Sequence, residues 1–301
     1  MSRPRQVLPE QSVFVTRRCT QRQFLLVPEK QLNEAVLYCF AMAAERTKMK
    51  VLWLIALSNH VHFGLDDARG CYPDFLQYFH MMLARVLNAY HGRWENFWSS
   101  EQSNVVRMME PSDVLDKMIY SLCNAVAADL VTRATEWPGA TSIFAQYNDS
   151  TLVVKRPAWF FSEDGDMPKT VELRFARPRG FEHLSHPEWE TLLRDEVAKR
   201  ERTLAADREA RGARVMGRSA VMNQVPGASP RTSEPRRGLR PTVACRNKWR
   251  RIEALQRCVR FLERYREAFE ARRAGNVKVE FPFGAYKLAR LGLVRVEPPP
   301  M

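Results

Sequence analysis

The chain has no apolar run near the ~20 residues a bilayer span needs, and stretches such as VLWLIAL stop far short. No charged segment followed by an apolar core opens it, so the sequence predicts a soluble, cytoplasmic protein with no membrane partner. Its six cysteines, Cys19, Cys39, Cys71, Cys123, Cys245 and Cys258, form no CxxC pair and lie mostly among apolar neighbours. That pattern suits reduced, buried thiols and argues against a disulfide frame or a zinc knuckle. There is also no internal repeat, which argues against a solenoid or propeller. What remains is 301 residues, 45% of them apolar, enough for one large domain or two ordinary ones with a real core.

The net charge of +13 is unevenly placed. The first 150 residues balance 15 Lys and Arg against 15 Asp and Glu, so the whole excess lies in residues 151–301. A basic excess of that kind points to a polyanionic partner, most often nucleic acid; solvated charge on exposed helices is the plainer explanation.

Hydrophobic periodicity divides the chain at the same place. SVFVTRRC, VLWLIAL, HVHFGL and SNVVRM read as strands, with a turn at Ser58-Asn59 between the second and third. Three segments read as helices: one after Pro28, one closed by Gly92, and one with Ser112 as N-cap and Asp113 in its first turn. The order βαββαβα predicts an α+β fold in which residues 1–150 form a ferredoxin-like domain with a four-stranded antiparallel sheet. Residues 151–301 read as a basic, mostly helical C-terminal region. It holds two strands around SEDGDMP, a long charged helix, a linker VPGASPRTSEPRRGLRPT, a basic amphipathic helix closed by Gly275 and a short terminal hairpin. On the basic helix, Arg250, Arg251, Arg257 and Arg260 are candidates for gripping DNA, and the spacing of Trp249 and Phe261 favours core positions.

The sharpest chemical signal is the pair His60 and His62 in SNHVHF. Strand residues two apart share a face, so both imidazoles can meet one ion. Two ligands do not complete a catalytic site. On the third helix Tyr120 and Asn124 are spaced i, i+4, away from the apolar stripe of Leu115, Met118, Ile119, Leu122 and Val126. Ordinary structural histidines and a boundary tyrosine remain the alternative at this point. The HxHxDH motif of metallo-β-lactamase-type hydrolases is not met, because Phe63-Gly64-Leu65-Asp66 follow His62.

SNHVHF, followed by VLDKMIYSLCNAVAADLV and EWPGATS, with TRRCTQRQFLL before and GRWENFW between, resembles the HUH single-tyrosine transposases, in particular the REP-associated tyrosine transposases. The match covers roughly residues 10–145. The resemblance implies a transposase that acts in DNA transposition and recombination as a single-stranded DNA endonuclease and strand transferase. His60, His62 and Asn124 then hold Mg²⁺ or Mn²⁺, and Tyr120 is the nucleophile, leaving a 5′-phosphotyrosine and a free 3′-OH. The implied partner is single-stranded DNA with hairpin elements, handled by a monomer or homodimer at a bacterial nucleoid. Arg17, Arg18 and Arg22 follow the first strand, where they can hold phosphates or serve as solvated loop charge. The alternative is a domesticated, sequence-specific DNA-binding protein without cleavage activity. Relatives commonly read Asn-Pro-Val-x-Ala-Gly-Leu where this chain has Asn124-Ala125-Val126-Ala127-Ala128-Asp129-Leu130, and both changes predict a more continuous helix here.

Overall fold

The computed structural model describes residues 4–143, 150–231 and 241–299. The first half forms β1 (Gln11–Arg18), α1 (Lys30–Thr47), β2 (Lys50–Leu57), β3 (His60–Asp67), α2 (Tyr72–Tyr90), β4 (Asn104–Met108), α3 (Pro111–Leu122) and the single turn α4 (Asn124–Ala127). The second half adds β5 (Leu152–Lys155), β6 (Thr170–Leu173), α5 (His186–Ala210), α6 (Arg218–Met222), β7 (Val243–Ala244), α7 (Lys248–Arg273), β8 (Glu280–Phe281), α8 (Tyr286–Arg290) and β9 (Arg295–Val296).

The order βαββαβα is present, but the central sheet has five strands rather than four, in the order β2-β3-β1-β4-β7. The β1, β3, β2 and β4 pairings are antiparallel, and the extra strand β7 runs parallel to β4, pairing Arg107 with Val243 and Met108 with Ala244. Two residues closing a Pro- and Arg-rich stretch carry no strand periodicity, so the linker pattern hid this strand. It covers the β4 edge, a common protection for unpaired strand groups.

Both faces of the sheet are covered, which is why β2 and β3 are buried almost end to end. On one face α1 and α2 pack together, with Phe40, Phe63, Phe75 and Phe79 in edge-on or tilted contacts 5.2–5.8 Å between centroids. The other face carries α3, whose stripe Met118, Ile119 and Leu122 is buried as the periodicity required. The β5–β6 hairpin packs on α1, and α5 packs on α3 and α4, with Trp189 and Leu193 buried in the same core as the sheet.

Some local expectations are replaced. The N-cap of α3 is Glu110 rather than Ser112, in a capping box with Asp113. A two-residue parallel bridge between β8 and β9 takes the place of the terminal hairpin. Phe261 is buried, whereas Trp249 stands 75% exposed at the start of α7. The helix after Tyr120 is not more continuous: it bends at Cys123 and stops before Asp129, which adopts φ 54°. Asp tolerates this left-handed conformation better than most residues. Here its carboxylate also meets Arg211 at 3.0 Å.

Gly64 shows how closely the site face is packed. A Cβ at this position would lie 2.1 Å from the Trp53 ring, which stacks on Phe14 with centroids 6.3 Å apart. Gly64→Ala is therefore expected to destabilise the chain by about 1–3 kcal/mol, read as a lower urea midpoint.

Candidate metal and nucleophile site

Strand register sets the site. Across β1 and β3, Thr16 pairs with His62 and Arg18 with His60, so these four residues share the sheet face that α3 covers. The His60 and His62 rings lie 4.6 Å apart, edge to face. His62 also meets Phe14 at 5.4 Å and the Tyr120 ring at 5.9 Å. Tyr120 is 43% exposed, so its phenol is open to solvent while its ring rests on the sheet.

A chain of hydrogen bonds orients His60. Asn59 Nδ2 donates to the Arg22 carbonyl at 3.1 Å, which turns Asn59 Oδ1 toward the imidazole. An amide oxygen can only accept, so His60 Nδ1–H donates to it at 2.6 Å. In the neutral ring this leaves a lone pair on Nε2, which faces Asn124 Oδ1 at 3.3 Å. Two acceptors thus converge on one spot, an arrangement that a cation between them satisfies. His62 repeats the logic: Thr16 Oγ1 lies 2.8 Å from Nδ1, and the buried Nε2 has no partner. Two imidazole nitrogens and one amide oxygen make a mixed donor set that could hold a divalent cation.

Burial, then the neighbouring charges of His60 and Arg18, push His62 well below the ordinary histidine range. Its lone pair stays available at neutral pH.

The remaining predicted residues are spread wider. Arg18 lies on the histidine face and is exposed. Arg17 points to the other face, donates to the Glu101 carbonyl and stands 5.9 Å from the Trp98 ring. Arg22 sits in a tight turn at φ 60° and contributes its carbonyl to the Asn59 bridge. On α7, Arg250 meets Glu110 at 3.0 Å, Arg251 donates to the Cys245 carbonyl at 3.1 Å, and Arg257 meets Glu253 at 3.5 Å. None of these three contacts reaches the histidine pair.

Sequence reasoning missed Thr16 and Asn59, since Thr16 acquires its partner only through the β1–β3 register. It also missed a strap from the second half: Met216 N donates to the Asp129 carbonyl at 2.8 Å, and Phe24 N to the Ala228 carbonyl at 2.9 Å. The strap thereby touches the segments that follow both Asn124 and Arg22. A second group of possible ligands, Glu110, Asp113 and Cys245, has its ligand atoms within 4.8 Å of one another. Asp113 already accepts from Glu110 N at 3.0 Å and Arg246 N at 2.8 Å, and Glu110 pairs with Arg250, so this cluster is a helix cap with its charges met internally.

No protein-family model matches the chain, and no curated protein matches it. Among solved structures, it is similar to a REP-associated tyrosine transposase bound to a REP hairpin, at 13% identity and a TM-score of 0.41 over 48% of this chain and 84% of that one. A putative transposase from Deinococcus radiodurans R1 is similar at 14% identity and a TM-score of 0.29, over 39% of this chain and 93% of that one. The tRNA(His) guanylyltransferase of Saccharomyces cerevisiae is similar at 11% identity and a TM-score of 0.32, over 46% and 72% respectively. Likenesses this distant carry no functional weight. Among the described residues, no helix is long and apolar enough to cross a membrane.

Two measurements check this electrostatic picture. Asn59→Ala releases the His60 ring and is expected to weaken Mn²⁺ binding about 10–100-fold by calorimetric titration, with little change in melting temperature. The second concerns pH. His62 is depressed as described, and burial with Arg17 pushes His80 down to about 3. Below about pH 6.5 the unfolded chain takes up protons that these folded rings refuse. Stability of the metal-free chain should be flat with respect to these groups above pH 7 and fall as pH drops through 6. His80→Gln should reduce that slope in urea titrations.

Proposed function

We propose that the chain is a metal-dependent single-stranded DNA transesterase of the transposase kind, which cleaves and rejoins hairpin-bearing DNA through Tyr120. The observation that carries this reading is His60 Nε2 facing Asn124 Oδ1 at 3.3 Å, with the His62 ring and its unpartnered Nε2 4.6 Å from the His60 ring and the half-exposed Tyr120 beside them. His60, His62 and Asn124 are the residues that would hold Mg²⁺ or Mn²⁺. When bound there, the cation polarises the scissile phosphate and offsets charge in the transition state.

Everything else falls to the chain's own groups. Tyr120 Oη forms a bond to phosphorus as the bond from phosphorus to the 3′-oxygen breaks, and the phenolic proton is released while the departing oxygen gains one. The products are a 5′-phosphotyrosine and a free 3′-OH. One phosphoester replaces another, so rejoining needs no external energy source. Thr16 and Asn59 hold the two rings in register, and the Phe14 ring, edge-on to Tyr120 at 6.1 Å, fixes the direction of the phenol.

Residues 1–150 supply this chemistry in our reading, and the basic region 151–301 supplies DNA-binding surface. Arg18 and Arg22 lie near the site, while Arg250, Arg251 and Arg257 on α7 are available to phosphates of a hairpin stem once their local partners are displaced.

Tyr120→Phe keeps the ring and removes one oxygen. Covalent attachment of a labelled hairpin-bearing strand in Mn²⁺ should vanish, with DNA affinity within about twofold of wild type. His60→Ala/His62→Ala should abolish metal-dependent cleavage with the fold retained by circular dichroism. Binding without any cleavage by the wild-type chain would identify a DNA-binding protein instead. A label that stays on the Phe variant would exclude Tyr120 as the nucleophile.

A further inference from the structure

We propose that Lys117 is a catalytic cation of this site, contacting the phosphate that Tyr120 attacks. The inference rests on the tyrosine-nucleophile reading above and names a substrate contact within it.

Helix α3 places Lys117 one turn before Tyr120, so the two side chains are neighbours on one helix face. The Lys117 ammonium lies 5.5 Å from the centroid of the Tyr120 ring and 5.9 Å from that of Phe14. It is therefore turned inward over the sheet, although the residue is only half-buried and an outward path to water exists. No carboxylate among the described residues pairs with it. The acids nearest along the helix are committed elsewhere: Asp116 is taken by Arg246, and Asp113 by the backbone amides of Glu110 and Arg246. Lysines paired within their own helical stretch, such as Lys199 with Glu196 at 3.8 Å, show the ordinary alternative.

The site thus has cationic side chains on both β1 and α3. Arg18 lies across from His60 on β1, and Lys117 lies over the Tyr120 ring. A phosphodiester carries one negative charge at rest, and its non-bridging oxygens gain more as the tyrosine oxygen adds. An ammonium already fixed beside the nucleophile stabilises that gain without reorganising. Its compact charge and three donors suit a phosphate whose orientation changes during in-line displacement. Lys117 acts in this role by its charge alone and takes no part in proton transfer.

The test compares wild type, Lys117→Met and Lys117→Arg in the full chain, using a fluorescent hairpin-bearing single strand with Mn²⁺. Two quantities are read: the single-turnover rate of covalent adduct formation, and the salt dependence of binding in the absence of metal. Lys117→Met should slow adduct formation about 10²–10³-fold and reduce the slope of log affinity against log salt by about 0.7, as expected for one lost phosphate contact on a single strand. Lys117→Arg should restore the slope and much of the rate. Melting temperature separates a folding defect from lost contact, since Met fits a helix as well as Lys does. A Met variant with wild-type rate and wild-type slope overturns the proposal, as does a loss that Arg does not rescue in either readout. If the wild-type chain forms no adduct, the tyrosine-nucleophile reading fails by itself, and the salt slope still decides whether Lys117 meets a phosphate.

Discussion

The direction in which one amide points governs this site. Asn59 occupies the two-residue turn between β2 and β3, and its side-chain NH₂ is held by the carbonyl of Arg22. Because that end must donate, the oxygen end must face His60, and the imidazole proton is confined to Nδ1. In the neutral ring the lone pair then falls on Nε2, which faces Asn124 Oδ1 at 3.3 Å. The Arg22 carbonyl is correctly aimed because Gln21 and Arg22 both take left-handed backbone conformations at φ 47° and φ 60°. Each costs a non-glycine residue about 1 kcal/mol. Such strain is retained where surrounding contacts over-determine it, and here these include Cys19 N to the Asn59 carbonyl and Leu26 N to the Ser58 carbonyl, both at 2.8 Å.

The extent to which this was legible in the sequence follows the range of the interactions. His60 and His62 declare themselves because strand alternation is local, and Tyr120 and Asn124 because helical spacing is local. The same holds for the stripe that seats α3. Partners contributed by other segments were not legible. Thr16 matches His62 only through the register of β1 on β3, Lys117 gains its meaning from Phe14 on a different strand, and β7 has two residues and no periodicity. Charge counting located the basic excess in the second half, but it does not reveal which arginines are already matched to Glu110 or Glu253.

Asp129 shows how a residue other than glycine can hold a left-handed backbone. A glycine reaches φ near 55° at no steric cost, and an aspartate does so at some cost. In return its carboxylate meets Arg211 on the segment after α5, and its carbonyl accepts from Met216. The chain reversal after Asn124 is thus secured by residues more than eighty positions downstream, in place of intrinsic backbone freedom.

That dependence has a consequence for the order in which the molecule can be made. The strand edge at β4 stays open until Val243 and Ala244 arrive, and the strap that ties Asp129 to the turn at Gln21–Phe24 ends at Ser229. A nascent chain therefore carries both histidines and the tyrosine long before the segments that brace the turns at Gln21–Phe24 and Asp129 have left the ribosome. During that interval the apolar face meant for α5 and the unpaired backbone of β4 are open to other chains. Completion of the site is a late event in synthesis, although every residue proposed to do its chemistry lies in the first 124 positions.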